Sequence, residues 1–337
     1  MNTNKFDIII VGGGPAGLAC ALEFKNTSYS VLLLEKNDGL GPKPCAGGLT
    51  GLSNNYPHIP GEKTSSFFAQ NIRINKSNYR ISLKQAIRTI SRFDLAQYQL
   101  EQLKEASNIR ILINCKIVKI DDEKVYTNTN ECFYYTQLVG ADGANSVVRK
   151  HVGLASNYCI GLYYEIPKVS DNCLWFLSYK KMKTGYIWVF PHKSHTNIGI
   201  YFNPQLYNAQ VARKVLEEFC TKEGFNYKGE ELQGGRVCYT YQGHQFKTIF
   251  LVGEAAGLCS KGTGEGISHA LLSGKETAKI IQDPSYNSKE LKKTIQLKLR
   301  QDKLFSIVEK YPFMHAFLYI IFLQLMRIKR VQAYFGI

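Results

Sequence analysis

The sequence predicts an α/β fold: a Rossmann-like nucleotide-binding domain, an antiparallel β-sheet domain inserted into it, and a C-terminal helical segment. Three observations carry the prediction. A β-branched apolar run near the N-terminus leads straight into Gly12-x-Gly14-x-x-Gly17. Two more strand, glycine-turn and helix patterns follow, at 138–149 and 248–281. The stretches 60–90 and 155–245 break that alternation and read as short aromatic strands. At 337 residues the chain suits about two domains. The expected division is 1–60, 90–153 and 246–285 for a discontinuous nucleotide-binding domain, 61–89 and 154–245 for the inserted sheet, and 286–337 for the helical region.

Phe6 to Val11 reads as a buried parallel strand, because its apolar residues run without alternation. Gly12-Gly13-Gly14-Pro15-Ala16-Gly17 follows, and Leu18 to Phe24 reads as a helix. A second strand, Tyr29 to Leu34, ends in Glu35 and Lys36. That order is a nucleotide-binding βαβ unit. Gly12 permits the tight turn, Gly14 lets a pyrophosphate approach the backbone, and Gly17 lets helix and strand pack closely. Phosphates would face the unpaired N–H groups and positive dipole end of the helix. Glu35 suits ribose hydroxyls and disfavours a 2′-phosphate. Up to here FAD and NAD stay undivided.

The later turns narrow the choice. Leu138 to Arg149 contains Asp142-Gly143, and Thr248 to Gly257 contains Gly253-Glu254. Thr263-Gly264-Glu265-Gly266-Ile267 then opens a helix over Ser268 to Ile281. Three such turns are more than NAD alone requires and can converge on one large cofactor. Two further motifs are Lys43-Pro44-Cys45-Ala46-Gly47-Gly48 and Tyr186-x-Trp188-x-Phe190-Pro191, with Gly199 after it.

On these residues the sequence resembles the FAD-dependent group that includes p-hydroxybenzoate hydroxylase and the geranylgeranyl reductases. The last two motifs point to the geranylgeranyl reductase branch. The Gly253-Glu254 variant and the basic C-terminal helix resemble its CbrA subgroup. The resemblance covers about 5–285 well and the tail loosely. It implies a p-hydroxybenzoate hydroxylase-type FAD-binding domain. The turn through Gly12, Gly14, Pro15, Ala16 and Gly17 would hold the FAD pyrophosphate, with Glu35 and Lys36 at the adenosine ribose. Arg92 would contact the cofactor backbone, and a residue near Ile117 the adenine side. Cys45, Ala46 and Gly47 would lie near the isoalloxazine, with Cys45 as the catalytic candidate. Asp142, Gly143, Gly253, Glu254 and Gly257 would complete the site. Gly266 and Ile267 would turn backbone N–H groups to the pyrimidine edge, where donors stabilise negative charge on a reduced ring.

Three departures from the family pattern matter. Glu254 stands where relatives carry Asp. Lys261 replaces a common Pro, and is expected either beside the flavin edge or, preferentially, in solvent. Tyr201 takes the place of the second glycine after Gly199.

The inserted sheet concentrates aromatic residues. Tyr186, Trp188 and Phe190 alternate at period two and should face one way. With Pro191 they are expected to line an apolar substrate pocket. His192 and His195 are expected to be solvated turn residues. The seven histidines form no metal spacing, and no metal is expected.

Composition sets outer bounds. Hydrophobic residues are 45% and charged residues 20%, so a large core can form. The net charge of +15 favours an anionic partner. Nucleic acid is not expected, since the basic residues lack interleaved aromatics and no recognition motif appears. Nine scattered cysteines without a Cys-x-x-Cys pair fit a reducing compartment, and no signal peptide is read at the N-terminus. A cytoplasmic protein is expected. In the tail, Ser288 to Lys310 carries an apolar stripe, Pro312 interrupts it, and Phe313 to Met326 is strongly apolar before Arg327, Lys329 and Arg330. A helix of those 14 residues spans about 21 Å, short of a hydrocarbon core of about 30 Å. It either packs on the inserted sheet or lies on an anionic membrane surface at the inner face.

The resemblance implies hydride delivery from reduced flavin to a C=C bond of a polyprenyl or similar hydrophobic substrate. The electron donor would be NAD(P)H or a ferredoxin-like protein, without a separate NADPH domain. The rivals are an FAD-dependent monooxygenase of a hydrophobic molecule and a flavin-bearing lipid-binding protein without turnover.

Overall fold

The computed structural model describes residues 4–49, 59–311 and 315–328. Pro312, Phe313, Lys329 and Arg330, used in the reading above, lie outside them, as does His58, one of the seven histidines. The strands are β1 Lys5–Val11, β2 Val31–Leu34, β3 Gly48–Leu49, β4 Ser65–Ile74, β5 Ser77–Thr89, β6 Ile109–Leu112, β7 Ile117–Asp121, β8 Lys124–Thr127, β9 Cys132–Gly140, β10 Tyr158–Ile166, β11 Leu174–Leu177, β12 Tyr186–Pro191, β13 Thr196–Phe202, β14 Gln233–Cys238, β15 Gln245–Phe246 and β16 Ile249–Leu251. The helices are α1 Pro15–Glu23, α2 Arg92–Leu103, α3 Val147–His151, α4 Tyr179–Met182, α5 Ala209–Lys222, α6 Ile267–Gln282, α7 Lys289–Lys310 and α8 His315–Met326.

Two sheets organise the chain. The first runs β15-β16-β9-β1-β2-β6, with the β7–β8 ribbon attached to β9. Its centre is parallel: β1 pairs β2 and β9, and β9 pairs β16. Both faces are covered, which is why β1 reads as unbroken apolar sequence. Ile8 and Ile10 pack under α1, α2 and α6 beside Leu18, Ala96 and Ala278. Ile9 and Val11 face the other way, towards Phe133, Val148, Leu291 and Ile295.

The second sheet runs β14-β10-β13-β12-β11-β4-β5-β3 and is antiparallel apart from the β4–β11 pair. One face carries Ile187, Val189, Ile198 and Ile200 against Ala212, Leu216 and Phe219 of α5. Those three recur at helical spacing, and Asn208 caps the helix by accepting from the Gln210 N–H at 2.7 Å. The opposite face carries Tyr163, Trp188, Phe190 and Tyr201, packed with Ala46 of the first β–α region. The p-hydroxybenzoate hydroxylase-type α/β fold expected from the sequence is therefore the fold observed.

The tail packs on the second sheet through part of α8 only. Leu323 of α8 is buried in the aromatic cluster of the second sheet. His315 packs edge-on against Tyr179 and bonds the Val308 carbonyl at 2.8 Å. Phe317, Ile320, Ile321 and Leu325 of the same helix are exposed.

Candidate active site

The site is built at the carboxyl ends of β1, β9 and β16, where open α/β sheets place ligands. Gly12 leaves β1 with φ +105°, and a Cβ there would lie 2.5 Å from the Ala141 carbonyl oxygen. Its N–H donates to Leu34 O at 2.8 Å, while Ala141 N–H donates to Val11 O at 2.8 Å. The first turn is thus pressed against the second, and only glycine fits between them. The third joins them, since a Cβ on Gly253 would lie 3.0 Å from the Ala16 Cβ.

Gly14 is the N-cap of α1, in extended conformation, with no side chain capping the helix. Among the described residues, the only atom within 4 Å of a Cβ built on it, chain neighbours aside, is Arg92 Nη2 at 3.8 Å. Arg92 opens α2, and its Nε is buried without a partner. An uncapped helix N-terminus and a guanidinium with an unsatisfied donor therefore border the same open space. This is the cradle a pyrophosphate needs, so the residues present fit a dinucleotide cofactor. Ser91 sets the arginine's position by capping α2, accepting from Asp94 N–H at 2.9 Å.

Glu35 is buried and braces the same turn. Its Oε2 accepts from Gly13 N–H at 2.8 Å and its Oε1 from Asn37 N–H at 3.0 Å. Each oxygen keeps a lone pair for a further donor. Lys36 beside it is exposed. Ile117 begins β7, and its side chain belongs to the core next to Cys115, whose N–H donates to Glu35 O at 2.8 Å.

Asp142 Oδ2 accepts from Val147 N–H at 2.6 Å and so caps α3, while Oδ1 is buried without a partner. Burial pushes its pKa up, against the opposing pull of the Ser146 and Val147 hydrogen bonds. Glu254 Oε1 accepts from Cys238 N–H at 2.9 Å and Oε2 pairs with Lys43 Nζ at 2.5 Å. A Cβ on Gly143 would lie 3.2 Å from that Lys43 Nζ. The sequence motif alone assigns Lys43 no role. Its cation ties the Cys45 segment to the third glycine turn and lies beside the second. Gly257 closes the third turn with φ +71°. Gly266 is the N-cap of α6 and has no side-chain cap, so that helix presents its N-terminus bare, with Ile267 as its first residue.

Cys45 is partly buried, and its Sγ accepts from Gly47 N–H at 3.4 Å. Across from it stand the second sheet's aromatics. Tyr186, Trp188 and Phe190 face one side, as their period requires. Tyr186 donates its hydroxyl to Thr263 O, and Trp188 Nε1 donates to Asn197 Oδ1 at 2.7 Å. Phe190 lies over Gly48, and Pro191 O accepts from Thr89 Oγ1 at 2.5 Å.

Two expectations are corrected. Lys261 is not in solvent. It is buried, and its Nζ pairs with Glu309 of α7 at 2.5 Å and donates to Ser306 Oγ at 2.8 Å. His192 is not a solvated turn residue. It is buried, because the hairpin folds back onto the Cys45 loop, and its Nε2 bonds Ala46 O at 3.0 Å. The place of Tyr201 is also explained: its hydroxyl reaches Lys261 O at 3.0 Å, so it holds the loop before α6.

Glycine turns, bare helix ends and an unsatisfied guanidinium N–H around one open space are the marks of a dinucleotide-binding protein. Residues 6–164 match the family model described as pyridine nucleotide-disulphide oxidoreductase. An uncharacterized protein of Methanosarcina barkeri is 29% identical over 83% of this chain and 76% of its own length. The digeranylgeranylglycerophospholipid reductase of Methanococcus vannielii is 25% identical over 91% of each chain. Among solved structures, a geranylgeranyl bacteriochlorophyll reductase-like protein of Thermoplasma acidophilum superposes with a TM-score of 0.77 at 21% identity, covering 91% of this chain and 88% of that one. The chain is an FAD-dependent oxidoreductase similar to the geranylgeranyl and digeranylgeranylglycerophospholipid reductases. Its cofactor is FAD.

Proposed function

We propose that this protein reduces C=C bonds of a polyprenyl chain, or of a similar long hydrophobic and phosphate-bearing substrate. The reading rests above all on one juxtaposition: the aromatic face of the second sheet lies against the loop that carries Cys45. Relatives named for geranylgeranyl and digeranylgeranyl substrates support it.

Bound FAD supplies hydride once reduced. The chain's residues do the rest. Gly12, Gly14, Pro15, Ala16 and Gly17, with the α1 N-terminus and Arg92, hold the pyrophosphate. Glu35 and Lys36 take the ribose, and the backbone near Ile117 borders the adenine. Asp142-Gly143 and Gly253-Glu254, the latter neutralised by Lys43, close the middle of the site, with Gly257 ending that turn. Gly266 and Ile267 offer N–H groups where negative charge develops. Ala46 and Gly47 shape the loop that points Cys45, and its thiol is the proton donor. Tyr186, Trp188, Phe190 and Pro191 exclude water and orient the hydrocarbon. Electrons arrive from NAD(P)H or a ferredoxin-like protein.

The exposed apolar residues of α7 and α8, among them Ile307, Phe317, Ile320 and Leu325, lie near exposed Lys303 and Lys310 of α7 and Arg327 just after α8. Among the described residues no helix is long and apolar enough to cross a membrane. These features support docking on an anionic lipid surface, where such a substrate resides.

The test is anaerobic. The flavin is reduced without oxygen and geranylgeranyl diphosphate is added. Reoxidation that follows the probe supports the reading. Reoxidation that requires oxygen assigns a monooxygenase instead, and none under either condition leaves a flavin-bearing binding protein.

A further inference from the structure

The loop carrying Cys45 follows β2 in the chain, yet the side chains that fix its backbone come from the second sheet. Asn197 Nδ2 donates to Cys45 O at 3.3 Å, and His192 Nε2 bonds Ala46 O at 3.0 Å. A carbonyl only accepts, so the His192 proton sits on Nε2. Burial and the neighbouring His195 pull the His192 pKa down to about 4, which keeps that ring neutral near pH 7. The two imidazoles stack at 4.6 Å and 6°. Tyr163 of β10, on the same face, donates to Gln233 Oε1 at 2.6 Å.

The Asn197 amide is not free to flip. Trp188 Nε1 donates to its Oδ1 at 2.7 Å, so Nδ2 must face Cys45. Trp188 reaches it by lying flat on β13: a Cβ on Gly199 would be 2.2 Å from Trp188 Cζ2. The same hairpin holds the loop before α6 through Tyr186 to Thr263 O and Tyr201 to Lys261 O. The strands β12 and β13 therefore reach both loops that border the cofactor gap.

We propose that Asn197 and His192 are positioning residues that set where the Cys45 thiol stands relative to the aromatic face, with Trp188 fixing the Asn197 amide. The thiol's direction follows the backbone because Gly47 N–H bonds its Sγ. With its carbonyls bound to the substrate-side sheet, the thiol and the aromatic face move as one body. Loss of either bond displaces the thiol and leaves the cofactor cradle intact. The catalytic part of this inference rests on the function proposed above; the placement of the thiol does not.

The experiment uses the full FAD-loaded chain and reads the rate at which iodoacetamide alkylates Cys45, measured on its peptide by mass spectrometry. Asn197→Asp keeps the acceptor for Trp188 and replaces the donor facing Cys45 with an oxygen. His192→Leu removes the second donor, and His192→Gln restores an N–H at a similar reach. Asn197→Asp and His192→Leu are expected to raise the alkylation rate about fivefold each, the population change that follows loss of one net hydrogen bond, with FAD stoichiometry unchanged. His192→Gln is expected to return the rate to that of the parent. Unchanged alkylation in His192→Leu overturns the proposal, and so does loss of FAD from it, which would make the residue a support of the cofactor site. If Asn197→Asp does not fold, the two His192 variants decide. With geranylgeranyl diphosphate as probe, kcat should fall in His192→Leu while KM changes little. Altered alkylation without any turnover of that probe sinks the substrate reading and leaves the positioning role standing.

Discussion

Lys261 Nζ lies 2.5 Å from Glu309 Oε2, and their side chains are only 11% and 12% exposed. The pair joins the loop before α6 to α7. Asp302 adds a second tie by accepting the Lys261 N–H at 2.9 Å, and Phe305 packs on Gly262. Breaking a buried pair from one side leaves an uncompensated charge, which costs roughly 3–5 kcal/mol. Glu309→Gln should lower stability by about that amount in urea denaturation. The double variant Lys261→Met with Glu309→Leu should recover most of it. A single variant as stable as the parent would remove α7 from the support of that loop.

Gly14 and Gly12 separate binding from folding. A side chain at Gly14 meets open space, so Gly14→Val should fold and melt like the parent but purify without FAD. Gly12→Ala should instead misfold, since its Cβ collides with Ala141 O and its φ is +105°. Flavin absorbance per mole of protein and circular dichroism check the pair. Stoichiometric FAD in Gly14→Val would falsify the placement of the pyrophosphate.

Cys45→Ser keeps a similar shape and the contact to Gly47 N–H while replacing the thiol by a much weaker acid. FAD should stay bound. The rate of reduction should fall by at least about a hundredfold, the lower end of what a positioned proton donor contributes, or the distribution of partly reduced products should change. An unchanged product profile by mass spectrometry would reduce Cys45 to packing.

Two buried histidines should make the fold acid-labile. Burial lowers both His192 and His269 to about 4 from the ordinary 6.5. The unfolded chain binds these protons more readily than the native one. Their contribution is therefore complete above about pH 6.5 and is lost as pH falls from 6.5 towards 4. At about 1.4 kcal/mol per unit, each contributes roughly 3 kcal/mol at most. Thermal melts of His269→Gln between pH 4 and 7 should show a shallower pH dependence than the parent. Parallel curves would mean that His269 titrates normally.

The exposed face of α8 should carry membrane contact. Replacing Phe317, Ile320 and Ile321 together by Ser removes three exposed apolar side chains. Burial of each is worth about 1.5–3 kcal/mol. Partition onto anionic vesicles should fall by more than about tenfold, with FAD content unchanged. Co-sedimentation equal to that of the parent would locate the contact elsewhere.

The chain alone disclosed whatever is written in consecutive residues. Gly12-x-Gly14-x-x-Gly17 announced a turn because steric limits on backbone angles act within a few residues. The unbroken apolar run of β1 announced a doubly covered strand for a similarly local reason, and the period of Tyr186, Trp188 and Phe190 announced a shared face. The roles of Lys261, His192 and Asn197 stayed hidden. Asn197 meets Cys45 across 152 positions, and Lys261 meets Glu309 on another helix. Such partnerships depend on sheet register and on how α7 lies over the loop, which no short window encodes. A lone lysine or histidine looks alike whether it ends in solvent or in a buried pair. Only packing, which removes water and leaves each polar atom to find a partner, selects between the two.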